Sequence, residues 1–346
     1  PYEINFMSKG WDNAGISFHK DTWRKCFDVL KPGGYLLAFG GSRTFHRIAC
    51  AIEDAGFEIR DTIMWLYGSG FPKSMNIGNK LKQWNGWGTC LKPAYEPIIV
   101  ARKPFKGSLV DNVLQNGVGG LNIDECQVGS EIIKSCGGRK NTVSGDERVG
   151  KSLGYNAPHE PLNTLHNGRF PANVIHDGSD EVCAGMPNTK KGGSITKQYD
   201  SKNEIYGKRQ IVEEFTSYGD EGSAARYFYC AKASKKDRDE GLDMFEYQEM
   251  KVTNQYNLPR EDGSNRDVPL KKNIHPTVKP TELMQYLVRL VTPKGGTILD
   301  PFTGSGSTGK AVMYENKERN ADYNFIGFEI NEEYCEIANA RIKAVI

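Results

Sequence analysis

Asp300-Pro301-Phe302-Thr303-Gly304-Ser305-Gly306-Ser307-Thr308-Gly309-Lys310 is the stretch on which the fold turns. The apolar run before it, Gly296 to Leu299, reads as a strand. Lys310 to Tyr314, after it, reads as a helix. A glycine-rich turn between strand and helix lets backbone N–H groups approach a ligand closely. The turn therefore predicts a nucleotide-like cofactor, and three compete for it. Gly304, Gly306 and Gly309 fit the dinucleotide spacing G-x-G-x-x-G, and Glu329 follows Gly309 by 20 residues, where an acid reaches ribose hydroxyls. Gly304, Gly309 and Lys310 also fit most of a phosphate-binding loop, but Ala311 stands where that loop needs Ser or Thr for Mg²⁺. S-adenosylmethionine has a ribose and no phosphates. It uses the turn and Glu329 and has no need of Lys310.

Position in the chain adds a constraint. Tyr323 to Glu329 reads as a second strand and Asn331 to Ile346 as a closing helix, after which the sequence stops. A doubly wound sheet needs more strands than two. The others must come from earlier in the chain, so the cofactor half stands last, in a permuted order.

The first hundred residues supply candidates. Asp21 to Leu30 reads as a helix, Tyr35 to Phe39 as a buried strand, and Ser42 as the cap of a helix running to Ala55. Phe57 to Trp65 and Glu96 to Ala101 read as further strands, separated by a Gly-, Lys- and Asn-rich loop. Such alternation predicts a parallel sheet with helices on its faces. From 105 to 272 the pattern breaks into Gly, Asn, Ser and charged residues, and a loop-rich insert of that size is usually functional. Order returns at His275-Pro276-Thr277-Val278-Lys279-Pro280. These precede a helix, Thr281 to Thr292, with Leu283, Leu287 and Leu290 on one face.

Composition excludes some classes. The 346 residues carry a net charge of +2, so any nucleic-acid contact must come from local patches such as 187–210, where six basic residues face two acids. No run approaches the ~18 apolar residues of a membrane span. The eight cysteines form no C-x-x-C pair and read as reduced cytosolic thiols. Cys126, Cys136, His159 and His166 match no common zinc framework, and no metal is expected.

The His275–Pro280 run, the Asp300–Ser307 run and Phe325-Ile326-Gly327-Phe328-Glu329-Ile330 together resemble the cofactor half of the DNA amino-methyltransferases, in the motif order of their beta group. Pro1-Tyr2 resembles the end of that family's catalytic D-P-P-Y or S-P-P-Y tetrapeptide. Lys31-Pro32-Gly33-Gly34, Lys92-Pro93-Ala94-Tyr95-Glu96-Pro97 and Ala101-Arg102-Lys103-Pro104 resemble the segments that follow it, and Tyr227 to Ala233 a stretch of phage and bacterial members. The resemblance covers 1–104 and about 224–346. It implies a doubly wound, mostly parallel α/β sheet of the S-adenosylmethionine-dependent methyltransferase type, circularly permuted. Residues 1–104 would be the catalytic half, 105–272 an inserted target-recognition region, and 273–346 the cofactor half.

The implied reaction is methyl transfer from S-adenosylmethionine to the exocyclic amine of adenine (N6) or cytosine (N4) in double-stranded DNA with a flipped target base. The implied setting is the cytoplasm of a bacterial or phage-infected cell. Pro1 and Tyr2 would be catalytic. His275, Thr277, Lys279, Asp300, Phe302, Gly304, Ser305, Gly306 and Glu329 would bind the cofactor. The amine's lone pair is delocalised into the base, and hydrogen bonds accepted from it favour a pyramidal nitrogen as charge develops. The other expectations are a catalytically impaired DNA-binding relative and a same-fold methyltransferase acting on RNA or a small molecule. The sequence starts at Pro1, not Met, and reads as a fragment. The first two residues of the tetrapeptide would precede it, so residues 1–346 are expected to bind cofactor yet methylate poorly.

Overall fold

The structure, a computed structural model, describes residues 2–3, 12, 14–70, 72, 74–139, 161–190, 195–199, 211–216, 221–231, 234–249 and 270–346. The chain forms two compact units. The first comprises Pro1–Cys126, Ala172–Ala184 and Tyr229–Ile346; the second comprises Gln127–Pro171 and Gly185–Phe228.

The first unit is built on a five-stranded sheet. Its strands are β1 (Tyr35–Phe39), β2 (Glu58–Leu66), β3 (Tyr95–Arg102), β4 (Val174–His176) and β5 (Tyr229–Cys230), in the order β1-β3-β2-β4-β5. The expected strand–helix alternation is present, but the sheet is mixed. β3 runs antiparallel to both β1 and β2, while β2–β4 and β4–β5 are parallel. Glu96 to Ala101 is apolar enough to suit a parallel strand because both of its faces are covered, not because of its direction.

Side-chain alternation sends Leu36, Ala38, Ile99 and Ala101 to one face of this sheet. There they pack with Trp23 of α1 (Lys20–Val29) and Ile48, Ala51 and Ile52 of α2 (Phe45–Asp54). Ile63, Trp65, Ile98, Val100 and Ile175 form the other face, joined by Leu283, Leu287 and Leu290, the apolar stripe expected of the 281–292 helix. The product is a three-layer α/β unit. The expected Ser42 cap is not formed. α2 starts two residues later than its capping position requires, behind Thr44, whose hydroxyl donates to the Tyr2 carbonyl at 2.7 Å instead of capping the helix.

A helix of eight residues, α3 (Leu109–Asn116), and a short one, α4 (Lys235–Asp239), follow in chain order, then α5 (Thr281–Val291). The C-terminal stretch forms a parallel pair, β6 (Thr297–Asp300) and β7 (Asn324–Gly327), with α6 (Ser307–Arg319) between them and α7 (Glu332–Lys343) after them. Asn331, the residue expected to open the closing helix, caps α7 by accepting from Tyr334 N. α5 ties this pair to the large sheet. One side of it sits in the sheet's core, while Val288 packs with Val312, Tyr323 and Phe325. A buried ion pair crosses from α5 to α6, with Arg289 Nη2 2.6 Å from Glu315 Oε1.

In the second unit Val128–Arg139 pairs antiparallel with Pro161–Arg169, Ile195–Tyr199 with Ile211–Thr216, and Gly222–Ser223 with Asn188–Thr189. Arg226 donates to the carbonyls of Gly222 and Ser223 and to the Thr189 hydroxyl, and its guanidinium lies over the Tyr227 ring at 4.4 Å. Among the described residues no helix is long and apolar enough to cross a membrane, and no group of three His, Cys, Asp or Glu is arranged to hold a metal.

Candidate functional site

The turn after β6 is shaped by close packing. Gly304 and Gly306 have φ of 54° and 78°, the left-handed region that favours glycine. A Cβ on Gly304 would lie 2.8 Å from His275 Nε2, and one on Gly306 would strike the backbone of Ala338 in α7. Gly309, inside α6, serves a different need: a Cβ there would meet Ile342 and Phe325 at 2.4 and 2.6 Å. The three glycines thus seat the turn against His275 and seat α6 against β7. Both strands of the pair end here, at the carboxyl edge where open α/β sheets bind ligands.

Two acids face the turn. Glu329, just past β7, accepts from Gly304 N at 2.8 Å through one oxygen and from Asn331 N at 2.9 Å through the other. Each oxygen keeps a further lone pair for a ligand hydroxyl. Asp300 accepts from Phe302 N at 3.0 Å and from Thr308 Oγ1 at 2.5 Å, in the first turn of α6. Burial pushes its carboxyl above the usual range, against the pull of those two donors. Phe302 packs edge-on to Trp23 of α1 at 6.5 Å. Ser305 faces away from the turn's open side. It is buried, and both its carbonyl and its hydroxyl accept from Arg341 of α7.

Lys310 decides which ligand the turn suits. It is fully buried, and its ammonium lies 2.6 Å from Asp237 Oδ1 and 2.6 Å from Glu240 Oε2. It cannot reach a phosphate, so the phosphate-loop reading is closed. Asp300 already occupies the start of α6, the position a pyrophosphate takes in dinucleotide folds. A ligand with a ribose and no phosphate fits both facts.

Asp237 and its neighbours also hold the segment before the turn. Asp237 accepts from Thr281 N and Thr281 Oγ1 at the start of α5. Arg238 donates to the carbonyls of Asn273 and His275, both at 3.0 Å. This places His275 edge-on to Tyr334, with centroids 4.7 Å apart, and Thr277 N donates to His275 Nδ1. Burial, reinforced by the charges of Lys279, Arg238 and Arg341, lowers the His275 imidazole to about 3. In the unfolded chain it protonates near 6.5. Between those values the unfolded state binds more protons, so stability falls as pH falls, by roughly 1.4 kcal/mol per pH unit. From pH 7 to 5 the protein should lose roughly 2 kcal/mol through this group. Urea titrations of a His275→Asn variant should show that portion of the slope gone.

A second cluster lies where the N-terminal stretch meets β3. Tyr2 is fixed at every polar group. Its hydroxyl donates to Glu96 Oε2 at 2.7 Å, its N–H to Asp12 Oδ1 at 2.6 Å, and its carbonyl accepts from Thr44. Burial, then the Glu96 carboxylate, push the phenol well above its usual range, so it stays neutral. Lys279 donates to the same Glu96 oxygen at 2.7 Å, and its ammonium lies 5.0 Å from the Tyr2 ring, 5.1 Å from Phe39 and 5.8 Å from Trp65. Trp65 is buried, and its indole N–H has no hydrogen-bond partner among the described residues.

The residues singled out in the sequence therefore fall into two groups. Asp300, Phe302, Gly304, Gly306, Glu329 and His275 gather at the turn, with Thr277 beside His275. Lys279 stands with Tyr2, and Pro1 lies outside the described residues. Sequence reasoning missed Glu96, Asp237, Arg238 and Arg341. A signal for Glu96 was present in its placement between Ala94-Tyr95 and Pro97, as the one acid in the apolar run from Glu96 to Ala101.

Residues 1–340 match the family described as DNA methylase, N6_N4_Mtase. The chain belongs to that family. Among its relatives, the type II methyltransferase M.HindIII of Haemophilus influenzae is 26% identical over 181 residues, covering 48% of this chain and 53% of its own length. The orphan methyltransferase M.BamHII of Bacillus amyloliquefaciens is 38% identical over 72 residues, covering 21% of this chain and 25% of its own. The chain thus spans about half of the first relative and a quarter of the second. The crystal structure of the M1.HpyAVI–SAM complex is similar at a TM-score of 0.38 and 14% identity, over 93% of this chain and 81% of that one. The turn at 300–310 and the Tyr2 cluster are the candidate sites among the described residues of this DNA methylase family member.

Proposed function

We propose that the chain transfers a methyl group from S-adenosylmethionine to the exocyclic amine of adenine (N6) or cytosine (N4) in DNA, in the cytoplasm of a bacterial or phage-infected cell. The observation that carries this reading is the turn at 300–310, where Glu329 and Asp300 flank the glycines while Lys310 is sealed among carboxylates. When bound, S-adenosylmethionine supplies an electrophilic methyl on a sulfonium. Glu329 accepts hydrogen bonds from the ribose hydroxyls. Asp300, Phe302, Gly304 and Gly306 shape the methionine end, with His275 and Thr277 beside them, and Ser305 acts through Arg341 as a support. The cofactor half stands last, in a permuted order.

Tyr2 stacks on the target base once it has left the duplex. Its neutral phenol cannot repel or deprotonate the amine, and Glu96 holds the ring in one orientation. Lys279 belongs to this acceptor side. The loop-rich region within 105–272, above all the second compact unit, reads the DNA sequence.

Single-turnover transfer of a labelled methyl from S-adenosylmethionine to duplex DNA tests the pairing of the two clusters. Tyr2→Ala should slow transfer by roughly tenfold or more, the scale of one lost base stack, and leave cofactor affinity unchanged. Tyr2→Phe should retain more of the rate. A Tyr2→Ala protein with the wild-type rate would remove Tyr2 from the site.

A further inference from the structure

Residues 67–94, which join β2 to β3, contain four lysines (73, 80, 82 and 92), two tryptophans and no acid. In a chain whose net charge is only +2, that is a concentrated basic segment. Its described part is built, not frayed. Ile77 N donates to the Trp87 carbonyl at 2.9 Å, Asn76 bridges to Gly88, Thr89 N donates to Ser74 Oγ, and Met75 N donates to Thr89 Oγ1. Two short 3₁₀ turns, Ile77–Asn79 and Lys82–Trp84, complete it. The neck is closed by Tyr67 N donating to the Ala94 carbonyl.

This internal bonding turns the large apolar side chains outward. Trp84 and Trp87 are 43% and 60% exposed and meet edge-to-face at 5.1 Å, and Met75, Leu81 and Leu91 are also exposed. A set of exposed apolar groups of this size marks an interaction surface. Interleaved lysines and indole rings are the combination that neutralises phosphates and stacks on bases. The segment leaves β2 just after Trp65 and re-enters β3 just before Glu96, so it springs from the sheet end that holds Tyr2 and Lys279.

Resting on the reading of the chain as a DNA methyltransferase, we propose that 67–94 is a DNA-contacting element separate from the target-recognition region. Trp84 and Trp87 stack on bases beside the displaced target nucleotide, and Lys80, Lys82 and Lys92 neutralise the flanking phosphates. Duplex DNA is the occupant because all of the segment's charge is positive and is interleaved with ring faces. A partner that is not a polyanion would leave Lys80, Lys82 and Lys92 uncompensated.

Two variants test it, W84A/W87A and K80A/K82A/K92A. Duplex binding is read by fluorescence anisotropy across a salt series, and S-adenosylmethionine binding by calorimetry. The tryptophan variant should bind DNA about tenfold or more weakly, with W84F/W87F recovering most of the loss. The lysine variant should flatten the slope of log K against log salt by about 3, near 0.9 per phosphate contact. Cofactor affinity should be unchanged in all of them, which certifies the fold. Wild-type DNA affinity and salt slope in both variants would overturn the proposal while leaving the methyltransferase reading intact. A wild-type protein that binds cofactor but neither binds nor methylates DNA would overturn both.

Discussion

Glu329→Ala should weaken S-adenosylmethionine binding by roughly a hundredfold. A carboxylate that accepts from ribose hydroxyls contributes through charge-assisted bonds, each worth about 1.5–3 kcal/mol, and about 2.7 kcal/mol is a hundredfold in affinity. Part of the loss arises without the ligand, because Glu329 also accepts from Gly304 N and Asn331 N and so holds the turn against the start of α7. Glu329→Gln separates the two roles. Its amide oxygen can keep one backbone contact but lacks the charge and one acceptor. Its NH2 then faces a backbone N–H, so it should melt below wild type but above Glu329→Ala, and still lose about tenfold in affinity. Calorimetric titration with the cofactor, paired with thermal melts, reads both quantities. Affinity within threefold of wild type in Glu329→Ala would show that the ribose is held elsewhere.

Lys310→Met should destabilise the first unit by about 3–5 kcal/mol, the scale for breaking a buried ion pair from one side. For a unit of this size that is a drop of roughly 10 °C in melting temperature. The reason is geometric. Lys310 is wholly buried between Asp237 and Glu240, so removing it leaves two carboxylates facing each other in a partly desolvated site. The pair is also a pH device. Burial alone would raise Asp237, but the hydrogen bonds from Lys310 and Thr281 outweigh it and hold the carboxyl below its usual range. Glu240 is lowered in the same way, burial being outweighed by Lys310 and Tyr314. A depressed carboxylate contributes stability that is fully present above its unfolded value, near 4, and is lost as pH falls through the lower folded value. Lys310→Met should therefore lose stability at pH 7 and lose far less of it at pH 3, which urea titrations at the two pH values would show. A melting temperature within 2 °C of wild type would mean that the lysine is no strut.

The glycine turn was legible because it is local. Strand, glycines and helix lie within twenty residues, and Glu329 stands at a fixed offset. The buried stripe of Leu283, Leu287 and Leu290 was legible from periodicity for the same reason. Lys310 was not, since its burial depends on Asp237 and Glu240, some seventy residues away, and a lysine after a glycine turn reads as a phosphate ligand until those partners are seen. Lys279 shows a similar limit. Its place in the His275–Pro280 run does not announce that its ammonium reaches Glu96 on β3, a contact across 183 residues of sequence. The direction of β3 was hidden as well, because a strand covered on both faces carries the same apolar pattern whichever way it runs. Ser42 failed as a cap because the tertiary contact between Thr44 and Tyr2 sets where α2 begins.

Nucleoside mass spectrometry of DNA from cells expressing the protein, alongside cells expressing its Glu329→Ala form, tests the transfer reaction most directly. N6-methyladenine or N4-methylcytosine is expected in the first and neither above background in the second. Unmodified exocyclic amines in both, or methyl groups confined to C5 of cytosine, would contradict it.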